Sequence, residues 1–222
     1  MRTLYHLWLS AHARKVRIVL SEKKLAFNLE IERVWERRPE FLALNPAGEV
    51  PVLEDVDGSI LSDSSAICEY LEEVYPEIGL LGTGGHARAE VRRLIAWFDY
   101  KFDREVTQNL VGEKINKRLT GIGEPDSRAI RAGRTNIHIH MNYVEWLVDR
   151  RRWLAGEFFS LADIAAAAHL STLDYIGDVP WEDHPGAKDW YARLKSRPSF
   201  RAILKDIVPG MPPSKHYENL DF

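Results

Sequence analysis

Near residue 80 the periodicity of this chain changes, and that change constrains its fold more than any other feature. Before it, the pattern alters every ten residues or so. Thr3 to Leu7 reads as a short buried strand, and Arg14 to Lys24 carries Val16, Val19 and Leu20 at helical spacing. From Phe27 the alternation is period two, with Phe27, Leu29 and Ile31 on one side and Asn28, Glu30 and Glu32 on the other. Pro39 suits the first turn of a short helix through Leu44, which Asn45-Pro46 ends. Two runs, Val52 to Glu54 and Ser59 to Leu61, flank Val56-Asp57-Gly58, and Asp-Gly between strands predicts a hairpin. A helix from about Asp63 to Val74 follows and stops at Pro76.

The segment Pro76 to His86 is rich in glycine and has no periodicity, so it reads as a linker. Everything beyond it is helical in pattern. Val91, Leu94, Ile95, Phe98 and Phe102 mark one amphipathic helix, and Ile130, Ile137, Met141, Val144 and Val148 mark another. Ser160 to Tyr175 is alanine-rich and nearly apolar all round, which predicts the central buried helix. Two more helices follow, one through Ala187, Trp190, Tyr191 and Leu194, the other from Pro198 to about Lys205. The organisation expected is an α/β domain over 1–79 with a thioredoxin-like element order. An all-helical domain over 87–207 and an extended tail over 208–222 complete it.

Composition narrows the function. Thirty Lys and Arg against thirty-three Asp and Glu give a formal charge of −3, which argues against coating a nucleic acid. The single cysteine, Cys68, excludes an internal disulfide, a CxxC redox pair and a thiolate zinc site. No apolar run reaches the roughly 18 residues of a membrane span, and the N-terminus has no secretory h-region. A cytoplasmic protein is the expectation.

Three segments could carry chemistry. In Asn45-Pro46-Ala47-Gly48-Glu49-Val50-Pro51-Val52-Leu53, a proline enters a strand. It is either an edge-strand proline or one with a cis peptide that turns the Val50 backbone toward an extended ligand. Around Asp63 and Ser64 a helix begins, and its free N–H groups either take an anion or are simply capped. Ser10 stands at the turn into the first helix, as a cap or as a donor to a bound thiolate. Lowering a thiol pKa from about 8.5 to about 6.5 raises its thiolate fraction roughly twenty-fold at neutral pH. Ser160-Leu-Ala-Asp163 reads as a structural capping box, flanked by Phe159 and Ile164 as a hydrophobic staple.

Together these segments resemble the glutathione transferase superfamily, nearly end to end. Ser10 to Arg17 looks like its serine-type first turn, Asn45 to Leu53 its cis-proline motif, Ser64-x-Ala66-Ile67 its γ-glutamyl turn, and Phe159 to Ile164 its capping box. The resemblance implies a homodimer with glutathione between the domains, held by Ser10, Val50, Asp63 and Ser64, with Ser10 catalytic in a transferase. Two departures count against such a site: Asp63 is one methylene shorter than the family's usual Glu or Gln, and Glu49 sets a carboxylate beside an anionic tripeptide.

Residues outside that site are similar to a bacterial branch of the superfamily that binds FtsZ and promotes constriction, with no cofactor required. They include Val34 to Arg38, Val106-Thr107, Trp190 to Arg201 and the end His216 to Phe222. By that resemblance the partner surface holds Trp35, Glu113, Arg201 and Asp221. Trp35 sits among charges, which suits an exposed binding hot spot, while a lid over the inter-domain cleft is the other reading. His138 and His140 are two apart on a helix and face different sides. Arg150-Arg151-Arg152 reads as a solvated helix end, and Cys68 as a buried structural thiol.

Overall fold

The computed structural model describes residues 1–220. Its first part holds a four-stranded sheet in the order β2-β1-β3-β4, with β1 Arg2–His6, β2 Phe27–Ile31, β3 Val52–Glu54 and β4 Ile60–Ser62. β1 pairs in parallel with β2 and antiparallel with β3, and the β3–β4 hairpin turns through Gly58 at φ +86°. Helix α1, Ala11–Glu22, connects the parallel pair; α2 is Pro39–Leu44 and α3 is Ser64–Val74.

The apolar side of β2 is largely open: Leu29 and Ile31 are exposed, at 39% and 45%. β2 is an edge strand, and α1 packs on β1 while α3 packs on β4, so the outer strand is left without a cover. Alternation reports that one face differs from the other, not that either is buried.

From Gly85 the chain is helical without a break to Thr120: α4 Gly85–Ala96, a π-wound segment Trp97–Asn116, and α5 Lys117–Thr120. The Lys117 N–H reaches back five residues to the Gly112 carbonyl, as that wider winding requires. Then come α6 Ser127–Val148, α7 Leu161–Tyr175, α8 Pro185–Lys195 and α9 Pro198–Leu204. Every residue of α7 is buried, and α1, α4 and the π-wound segment pack around it.

At the head of α7, Ser160 Oγ accepts from the Ala162 N–H at 3.3 Å and Asp163 Oδ2 accepts from the Ser160 N–H at 3.1 Å. Asp163 Oδ1 also takes the Leu154 N–H and the Trp190 indole N–H. Residues 205–220, after α9, lie against the molecule instead of extending from it. Tyr217 is fully buried, and the Tyr175 hydroxyl accepts from the Val208 N–H and donates to the Met211 carbonyl.

Basic side chains of α1 tie the two parts together. Arg14, wholly buried, donates to the Trp8 carbonyl and to Ser171 Oγ on α7, while Arg17 pairs with Asp206 at 2.6 Å. Lys15 forms a buried ion pair with Asp99 of the π-wound segment.

Candidate functional site

A cleft of about 490 Å³ opens where the sheet part meets the helical part. One wall is the β1–α1 turn from Leu7 to His12 with Val34, Trp35, Glu49 and Val50; the other is Asp103, Thr107, Gln108, Val111, Asn116, Leu119 and Thr120. A second pocket of about 350 Å³ shares His12, Glu49, Val50 and Asp103 with it, and adds Asn45, Pro51, Ser62, Asp63, Ser64 and Asp99 among its lining.

Local sequence explains each position. Ser10 is the N-cap of α1, its Oγ accepting from the Ala13 N–H at 3.2 Å, which is why the helix starts three residues before Arg14. The Val50–Pro51 peptide is cis. Asn45 organises the loop before it, donating to the Glu49 carbonyl at 2.8 Å and accepting from the Ala47 N–H. Gly48 has φ +69°, and a Cβ there would strike Arg37 Nη1.

Asp63 caps α3 with φ +68°, one oxygen accepting from the Ser65 and Ala66 N–H groups. Ser64 is buried, its Oγ 3.3 Å from His12 Nδ1. Ser10, Val50, Asp63 and Ser64 are therefore gathered around two adjoining pockets.

The residues assigned to a partner surface are spread more widely. Trp35 is half-buried on the cleft wall, where a lid would sit, although the surrounding charges predict solvent. Glu113 is engaged within the chain: its Oε2 accepts from the Asp126 N–H at 2.7 Å and pairs with Lys117, which anchors the turn into α6. Arg201 is exposed on α9. Asp221 lies outside the described residues.

The charge of the site is lopsided. Glu49, Asp63, Asp99 and Asp103 line it, and among the described residues no Lys or Arg lines either pocket. Burial pulls the His12 imidazole down from its ordinary value, and neighbouring His169 adds to that, so it brings no positive charge near pH 7. Burial alone would raise Asp99, but the Lys15 ammonium beside it outweighs that and holds the carboxyl well below the usual range. Cys68 is buried, which pushes its thiol up to about 12 and removes it as a nucleophile.

Sequence reading passed over His12, Asp99 and His169. His12 lay within a quoted motif, but nothing in periodicity shows that residues 87 and 157 positions further on would face it.

Family models described as the glutathione S-transferase N-terminal domain and the glutathione S-transferase C-terminal domain match residues 9–74 and 139–198. Over its whole length the chain is 50% identical to FtsZ-localized protein A of Caulobacter vibrioides, spanning 98% of that protein. The chain belongs to the glutathione S-transferase family. The structure of FzlA from C. crescentus matches it with a TM-score of 0.97 at 50% identity, covering 100% of this chain and 99% of that one. A glutathione S-transferase from Rhodospirillum rubrum F11 matches with a TM-score of 0.98 at 60% identity, covering both chains completely. Glutathione S-transferase 2 of Saccharomyces cerevisiae is 28% identical over 205 residues, 86% of this chain and 84% of that protein. The thioredoxin-like sheet with a helical C-terminal part is that family's fold, and among the described residues no helix is long and apolar enough to cross a membrane.

Proposed function

We propose that this chain is a dimeric, cytoplasmic binding scaffold that associates with FtsZ and acts in cell division without conjugating glutathione. The observation that carries the reading is its full-length, 50% identity to a protein named for its localisation with FtsZ. The cleft's chemistry supports the second half of it. Glutathione brings two carboxylates and one ammonium at neutral pH, and here it would meet Glu49, Asp63 and Asp103 with, among the described residues, no lining Lys or Arg to receive its anionic ends. Trp35, Arg201 and Asp221 are the partner contacts in this reading, while Glu113 anchors the turn into α6.

A serine-type transferase is the second reading, favoured by Ser10 on the cleft wall and by the likeness to the Rhodospirillum rubrum enzyme. Calorimetric titration with reduced glutathione separates the two. The scaffold reading expects no binding up to several millimolar; a dissociation constant below about 1 mM, worth at least about 4 kcal/mol, favours the transferase.

Co-sedimentation with FtsZ polymers supplies the other half of the test. Trp35→Ala loses partner binding, since truncating a Trp anchor commonly costs about 2 kcal/mol or more. Ser10→Ala leaves co-sedimentation unchanged. Retained binding in Trp35→Ala would remove that residue from the partner surface.

A further inference from the structure

Two residues of the second pocket's lining, His12 and Asp99, meet a third donor group, His169, and the three come from different helical segments. His12 of α1, Asp99 of the π-wound segment and His169 of α7 each offer one donor atom, and these atoms lie within 4.8 Å of one another. Asp99 and His169 are more than nine-tenths buried, yet Asp99 Oδ1 and His169 Nε2 make no hydrogen bond among the described residues. They stand 3.5 Å apart, with His12 Nδ1 3.9 Å from the same carboxylate oxygen. The His12 side chain is a third exposed and opens the cluster to the cleft.

The surroundings orient these atoms. His169 Nδ1 lies 2.9 Å from Thr107 Oγ1; with the ring proton donated there, Nε2 carries the lone pair. The second oxygen of Asp99 is taken by Lys15 and by the Ser65 hydroxyl, which leaves Oδ1 open. In that tautomer two acceptors face each other out of water, which is unfavourable unless a proton or a metal cation lies between them.

We propose that His12, Asp99 and His169 form a site for a zinc-type divalent cation, with its fourth position open to the cleft. Two imidazoles and a carboxylate are a donor set such ions take, with bonds of about 2.0–2.2 Å. Tetrahedral bonds of that length set donors about 3.3 Å apart, so Asp99 Oδ1 already stands close to that distance from His169, and the His12 ring moves inward when the ion binds. The Lys15 ammonium opposes the ion. Asp103 favours it, with Oδ1 3.8 Å from His169 Nδ1 and 4.0 Å from His12 Nε2. The site stands on its own geometry and is independent of the FtsZ reading.

The test is titration of the chelator-stripped, full-length protein with cobalt(II) chloride and then zinc chloride, followed by calorimetry and visible absorption. One cobalt per chain binds, shows the intense bands of tetrahedral nitrogen–oxygen coordination and is displaced by zinc. His12→Ala, at a position a third exposed, weakens binding by at least about tenfold while the metal-free melting temperature stays unchanged; losing a mere outer partner already costs about 10–100-fold. Asp99→Asn weakens it as well. Absence of binding up to about 1 mM cobalt, the limit of weak specific association, overturns the proposal. So does binding that survives His12→Ala but is lost in His138→Ala.

Discussion

Lys15 and Asp99 pair in the interior and join the two parts of the chain, with 1% and 3% of their side-chain surfaces exposed. Burial works against the Lys15 ammonium, but the Asp99 carboxylate beside it more than offsets that and raises its pKa. Removing one partner leaves the other charge buried alone, which typically costs about 3–5 kcal/mol. Lys15→Met therefore loses about that much stability in urea denaturation, and pairing it with Asp99→Asn restores part of the loss. A single-variant loss below about 1 kcal/mol would show that water reaches the pair.

His6 makes stability depend on mild acid. Burial, and then Arg17, push its imidazole down to about 4 in the folded protein. The unfolded chain takes up that proton near pH 6.5 and the folded chain only near 4, so stability falls as pH drops through this window, by at most about 3 kcal/mol. His12 and His140, both also lowered mainly by burial, add to the same slope. The expected result is that His6→Gln flattens the decline in unfolding free energy between about pH 6.5 and 4.5. An unchanged slope would locate the proton uptake elsewhere.

Asp163 holds more than the end of a helix. It accepts from the Ser160 N–H and hydroxyl, the Leu154 N–H and the Trp190 indole, so Asp163→Ala leaves three buried N–H donors unpaired, besides a hydroxyl that can turn elsewhere. At about 1–3 kcal/mol per orphaned donor, the loss is at least about 3 kcal/mol. Ser160→Ala removes the cap on the Ala162 N–H and the hydroxyl's bond to Asp163 Oδ2 but leaves the backbone donors on Asp163 in place, and costs about 1–2 kcal/mol. Equal losses in the two variants would contradict this division of roles.

Gly133 marks a close crossing of α6 with the π-wound segment. A Cβ at this position would lie 2.8 Å from Leu110 Cγ and 2.9 Å from Asn109 Cβ. Gly133→Ala gains about 1 kcal/mol of helix propensity. Overpacking costs about 1–3 kcal/mol and outweighs it. The melting temperature is expected to fall by roughly 2–8 °C; a rise would mean that the helices part without strain.

Much of the fold was legible because its signals are local. Pro39, Asn45-Pro46, Asp57-Gly58 and Pro76 act through their own backbones, so they mark where α2, the hairpin and α3 begin or end wherever the chain goes. The apolar surround of Ser160 to Tyr175 likewise forced that helix inside. The edge position of β2 was not legible, since period-two alternation is the same beside a covered face and an open one.

The sequence by itself determined the order of elements, the buried α7 and the capping serines Ser10 and Ser160, because each depends on neighbours within about four residues. Tertiary structure alone decided that Trp35 lies on the cleft wall, that Glu113 is spent on the Asp126 N–H, and that, among the described residues, carboxylates line the cleft without Lys or Arg. It also decided that Arg14, Lys15 and Arg17 turn inward to Ser171, Asp99 and Asp206, partners between 84 and 189 positions away. Charge along a sequence predicts exposure when each residue is weighed alone; a pair of opposite charges meeting across two packed helices can stay inside, and only the packing brings them together.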